Sequence, residues 1–328
     1  MKNINATKRN IAAVAVAAVG SFSLLSAPAL QADVLAVSVL QINNLTFSKT
    51  GGATLDVSDF GGGITYTSTG DVSAQLGATT VTDNDSTVGA ATIDLAPACV
   101  GTCPAIVDNN FDIFSAGTGD PSSQFSAADQ YQAGSPITGI GAPVGATIEA
   151  ASYVSLIGQD DGSSTGNNNL NSSWVFGGYA GTLDVDFSAT AYLEAFVSAD
   201  SQFPSFATAS FNVVFSLVDL SLGGASVDTW NVGSTAPSAD EPFNLNDTRS
   251  ANSPFANGLP LYAGAALGVA NTGAFHFTTQ HLFADHVYQL SARVNTNADA
   301  TMVPEPGMIA LLGAGLLGLG FSRKRRDA

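Results

Sequence analysis

The chain has 328 residues, with 10 basic against 27 acidic side chains and a net charge of −17. That surplus of acid repels phosphate backbones and anionic lipid, so no nucleic acid partner is expected. At 45% apolar residues the chain is not a disordered polyelectrolyte, and it is long enough to bury a substantial core.

Residues 1–32 have the build of a secretory signal peptide. Lys2, Lys8 and Arg9 come first, then the apolar run Ile11–Leu25, then small residues. Cleavage after Ala32 leaves Asp33 as the new N-terminus, and Ala27-Pro28-Ala29 offers an alternative after Ala29. Export implies an oxidising compartment, where Cys99 and Cys103 are expected to form a disulfide. Closing so short a loop contributes about 2 kcal/mol on the chain-entropy model and mainly stiffens one turn.

Residues 33–302 form the expected exported domain. They hold three basic residues (Lys49, Arg249, Arg293) and 25 acidic ones, a net charge of −22. The domain opens with a dense run of β-formers over Val34–Phe47. Short strands are predicted at Ala53–Val57, Gly63–Thr69, Ala74–Val81 and Ala90–Leu95, each flanked by turn residues. Pro97 to Pro143 reads as loop-rich, with one or two helical turns at most over Ser126–Gln132. Ala146–Ile157 returns to strand.

The clearest pattern follows. Leu183, Val185, Phe187, Ala189, Ala191, Leu193, Ala195 and Val197 occupy every second position, with Asp184, Asp186, Ser188, Thr190 and Glu194 between them. That period of two predicts a strand with one buried and one wet face. A second alternation runs from Ala207 to Leu217. Neighbours of this kind usually pair as a hairpin, with Phe203-Pro204 at the turn. Ser226–Asn231, Gly273–Thr279 and His286–Asn295 add strands. Glu241–Gly258 reads as irregular, and Asn295–Thr301 as a polar linker. No long amphipathic helix interrupts this order. The fold class expected is all-β, one large antiparallel β-sandwich of jelly-roll type.

Candidate sites are few. His276, His281 and His286 are spaced five and five, and positions five apart on a strand face opposite ways, so one strand cannot aim all three at one metal. Acid-rich segments offer hard oxygens for Ca²⁺: Asp83-Asn84-Asp85-Ser86, Asp108–Asp112, Asp160-Asp161-Gly162 and Asp184-Val185-Asp186. The weak calcium candidates are Asp83, Asp85, Asp160 and Asp161. None fits an EF-hand loop, and no cofactor is expected. Asp184 and Asp186 share one strand face, an arrangement a glycoside hydrolase can use. Tyr192, Phe196, Trp174 and Trp230 are candidates for a sugar-stacking patch or for core. No G-x-S-x-G motif is present. The chain therefore reads as non-enzymatic, with a calcium-dependent carbohydrate-binding module and a carboxylate-pair hydrolase as alternatives.

The last 26 residues carry the strongest signal. Val303-Pro304-Glu305-Pro306-Gly307 precedes an uncharged run from Met308 to Phe321, and Arg323-Lys324-Arg325-Arg326 follows. Fourteen residues of helix span about 21 Å, short for a hydrocarbon core of about 30 Å. The basic end stays cytoplasmic, which places the upstream chain across the membrane. Gly313-Ala314-Gly315-Leu316-Leu317-Gly318 spells a dinucleotide fingerprint, but it lies inside the apolar run and lacks the βαβ context. This order of parts closely resembles the PEP-CTERM sorting signal of Gram-negative bacteria. The resemblance implies recognition and cleavage by the membrane enzyme exosortase at Val303–Gly307. It also implies a transient stay in the inner membrane and delivery to the cell surface or an exopolysaccharide matrix. The body looks like the exosortase-dependent surface-associated proteins through its Asp33-Val34-Leu35-Ala36 start, Asp184-Val185-Asp186-Phe187, Pro242–Asn246 and Asn297-Ala298-Asp299-Ala300. That group has no established activity and supplies no catalytic residues.

Overall fold

The structure is a computed structural model. It describes residues 32–302 except 62, 89–91, 104–108, 110, 112–123, 140–144, 159–161, 199–204, 234–237, 239, 254–260 and 265–268. The signal peptide before Ala32 and the tail from Val303 lie outside the described residues.

The described residues are all-β, and their antiparallel sheets form a sandwich. The first sheet holds β1 (Ala32–Lys49), β4 (Ile93–Gly101), β5 (Phe125–Ala133), β6 (Ala146–Gly158), β8 (Leu183–Val197), β12 (Leu261–Gly264) and β13 (Asn271–Thr278). Its order is β12-β8-β1-β6-β5-β4, with β13 also on β8. The second sheet holds β2 (Ile64–Leu76), β3 (Thr79–Val88), β7 (Gly162–Gly177), β9 (Ser205–Asp219), β10 (Ala225–Asn231), β11 (Asn246–Ser253) and β14 (Val287–Met302). Its order is β10-β9-β14-β7-β2-β3, with β11 also on β9. The helical content among the described residues is two single 3-10 turns, Val57–Asp59 and Leu220–Leu222.

The alternation in β8 and β9 holds: every odd-numbered apolar residue of both strands is buried in the core between the sheets. Their predicted hairpin does not form. β8 pairs with β1 and with β12 and β13, while β9 pairs with β14, β10 and β11. The two strands face each other instead, and Phe187 stacks on Phe215 with ring centroids 5.5 Å apart. Period two says which side of a strand is apolar. It does not say whether the next strand lies beside it or across a core about 10 Å thick.

Other elements differ from expectation as well. Ser126–Gln132 is strand β5, not helix. β2 runs unbroken through Gly70, and its turn to β3 comes at Gly77 instead. Glu241–Gly258 contains strand β11, and the expected linker Asn295–Thr301 is part of β14. β7, sixteen residues long and central in its sheet, has no counterpart in the sequence reading.

A polar seam crosses the sandwich interior. Ser38 donates to the Ser210 carbonyl at 2.8 Å, and Ser152 meets Thr296 at 2.9 Å. Ser68 and Ser172 both donate to Gln132 Oε1 at 2.6 Å. Asn168 Nδ2 donates to the Asp129 carbonyl at 2.6 Å. The sheets approach closely here, and a Cβ on Gly166 would lie 2.7 Å from the Ala127 carbonyl oxygen. A smaller core of Val72, Ile93, Leu95 and Val100 lies at the β3–β4 end of the sandwich.

Candidate functional site

Outward-facing residues of β8 and β13 build one wet groove. Register sets His276 opposite Asp186 and Thr278 opposite Asp184. His276 Nδ1 sits 2.7 Å from Asp186 Oδ1, and the Thr278 hydroxyl donates to Asp184 Oδ1 at 2.6 Å. The His276 amide donates to the Asp240 carbonyl at 3.0 Å, which occupies part of the outer edge of β13. Asn44, at φ 56° beside a bulge in β1, closes the groove from the other side. The groove is open to solvent, has a volume of about 360 Å³ and is lined also by Phe187, Ser188, Asp240, Ala274 and Phe275.

The electrostatics of the groove are acidic. The hydrogen bond that His276 Nδ1 donates to Asp186 holds the imidazole above its ordinary 6.5, against partial burial, with Asp186, Asp184 and Asp240 adding attraction. Three carboxyl groups, of Asp184, Asp186 and Asp240, stand around one imidazole, so acids outnumber bases here. Asp186, His276 and Thr278 line up as a carboxylate, an imidazole and a hydroxyl, with His276 Nε2 at 3.4 Å from Thr278 Oγ1. The single proton of Thr278 is already directed at Asp184. In this arrangement Thr278 does not donate to His276 Nε2, the hydrogen bond that activation of its hydroxyl by an imidazole base requires.

The three histidines do not converge. His286 Nδ1 lies 2.5 Å from Asp219 Oδ2, and the other Asp219 oxygen caps the Leu220–Leu222 turn through the amides of Ser221 and Leu222. His281 touches Phe283. Asp83 and Asp85 sit within β3 and not in a loop, each accepting the amide of the next residue at 2.9 and 2.7 Å. Asp160, Asp161, Asp108 and Asp112 lie outside the described residues. No group of three or more His, Cys, Asp or Glu able to hold a metal ion forms among the described residues.

Cys99 and Cys103 are disulfide-bonded, with Cα atoms 6.4 Å apart. Just beyond them, Phe111 packs on the outer face of the first sheet with Leu35, Val37, Tyr153 and Tyr192. Glu194, expected on a wet face, is fully buried here and accepts a hydrogen bond from the Tyr192 hydroxyl. Trp174 belongs to the interior, stacked on Tyr66, and Trp230 is half-buried on edge strand β10, stacked on Phe277 against the core. Tyr192 is 1% exposed, and Phe196 packs against the same outer cluster. The four aromatics do not make a stacking patch.

The strongest functional signal lies beyond β14. A family model for the PEP-CTERM protein-sorting motif matches residues 303–326. The chain carries a PEP-CTERM sorting motif. A search of the curated proteins and of the solved structures finds no match. The PEP-CTERM motif begins at the residue after Met302, the end of β14. Only Val303–Gly307 separate a central strand from the apolar run. The sequence signals missed along the body were Thr278 and Asp240, which no motif marks. Register alone brings Thr278 to Asp184, and the turn at Ser238–Glu241 brings Asp240 to the edge of β13.

Proposed function

We propose that this chain is an exported, non-enzymatic surface or extracellular-matrix protein of a Gram-negative bacterium, sorted and processed at its C-terminus by exosortase. The PEP-CTERM motif at 303–326 carries this reading. The acidic body, at a net charge of −22, suits a soluble exported domain that stays clear of anionic membrane surfaces. The short tether of five residues supports cleavage close to the folded body. Prolines at 304 and 306 bias the residues before them toward extended backbone, a form a processing enzyme can grip. The final location is the cell surface or the exopolysaccharide matrix. Fractionation of an exosortase-positive strain and its exosortase-null derivative tests the reading. The chain is expected at the surface or in the medium of the first, and in the inner membrane of the second. The same distribution in both strains contradicts it.

A further inference from the structure

The outward face of the second sheet is built from amides and hydroxyls. One cross-strand row reads Asn212, Asn295, Asn169, Asp71 and Asn84, carried by β9, β14, β7, β2 and β3 in turn. The next row places Asn297 beside Asn167. Asn167, Asn169, Asp71 and Asn84 are exposed, and the others are half-buried. Neighbours along the face already hold one another: Ser216 meets Ser291 at 2.8 Å, Gln289 Nε2 donates to Ser173 at 2.7 Å, and Asn297 donates to Asp299.

Strand propensity does not explain this composition. Asn is depleted in strands, yet it recurs in central strand β7. The charged residues of these rows and their immediate neighbours are Arg293, Asp71 and Asp299, in keeping with a chain that is 11% charged overall. What sets this face apart is a continuous field of amide and hydroxyl donors and acceptors across five paired strands. Five strands by nine residues cover about 20 Å by about 27 Å, or roughly 500 Å².

We infer that this face binds a neutral polysaccharide through its hydroxyl groups, without calcium. Asn amides and Ser/Thr hydroxyls both donate and accept, as sugar hydroxyls do. The Ser216–Ser291, Gln289–Ser173 and Asn297–Asp299 hydrogen bonds hold those side chains in place before binding and so lower its entropy cost. Charge selects among partners. A body of net charge −22 repels anionic polymers, and it repels a second copy of itself. Two copies laid face to face would also bury only about 1,000 Å², at the transient end of protein interfaces. A neutral, hydroxyl-rich chain meets neither barrier. Phe206, 44% exposed at the end of β9, supplies an apolar margin. The inference rests on the matrix reading above only for its setting, because the contact itself needs no sorting.

Sedimentation of the purified full chain with insoluble cellulose, β-1,3-glucan and chitin, and with alginate as the anionic control, tests it. The chain should co-sediment with at least one neutral polymer, in EDTA as without it, and not with alginate. Asn169→Ala with Asn297→Ala should weaken binding by at least about tenfold at unchanged melting temperature. Asp186→Asn, on the opposite sheet, should leave it unchanged. Failure of the folded chain to bind any neutral polymer overturns the inference. So does equal binding by the double variant, or a double variant whose only defect is lost self-association. Faulty tail processing with intact glycan binding would remove the sorting reading alone.

Discussion

The two outward faces of the sandwich are built differently. On the first sheet the face is divided. One part is apolar and covered, with Glu194 and Asp129 buried in it, and another is the wet groove of His276 and Asp186. On the second sheet, amides and hydroxyls extend across five strands. A polar residue between apolar neighbours is therefore not wet by virtue of alternation alone. Whether a third layer of chain lies over the sheet decides its energetics. The uncovered face is the one available to other molecules.

The largest effect expected on this comparison comes from β8, where adjacent residues point to the core and to the covered face. Leu193→Asp places an unpaired charge between the sheets and should cost more than about 3 kcal/mol in chemical denaturation, or prevent folding. Glu194→Ala, on the covered face, removes the acceptor of the Tyr192 hydroxyl and should cost about 1–3 kcal/mol. A cost near zero for Glu194→Ala would make that face solvent-like and erase the contrast with the second sheet.

The same residues show what a sequence can and cannot convey. Burial on the core side of β8 and β9 was legible, because apolar residues recur at every second position. Pairing was not, because β1, the partner of β8, lies more than a hundred residues upstream and no local pattern names it. β7 was obscured by its outer face. Leu170, Ser172, Trp174 and Phe176 alternate inward, but the outward Asn167, Asn169 and Asn171 carry no strand-forming signal. The groove was half legible: Asp184 and Asp186 share a face as alternation requires, while Thr278 and Asp240 arrive through strand pairing and a turn.

Smaller effects sharpen the contrast. Asn169→Ala lies on the uncovered face and should change stability by no more than about 0.5 kcal/mol, since an exposed amide is truncated without leaving a buried partner. A loss comparable to that of Glu194→Ala would show a structural duty for the amide row. The smallest effect is a titration in the wet groove. The folded-state pKa of His276 is raised, so its pairing with Asp186 stabilises fully below 6.5 and is lost as pH rises through the folded value. Solvent screens this exposed pair, so the stability change is slight, but the imidazole resonance reports it directly. Its NMR midpoint should lie above 6.5 and fall in Asp186→Asn. A midpoint that Asp186→Asn leaves unmoved would break the pair.

All of these faces matter to the organism only if the folded body is delivered outside and released from its tail. Intact-mass spectrometry of the protein recovered from the surface or medium of exosortase-containing cells tests that most directly. The account predicts a chain that begins at Asp33 or Leu30 and ends before Met308. Recovery of surface protein that still carries Arg323–Ala328 would contradict it.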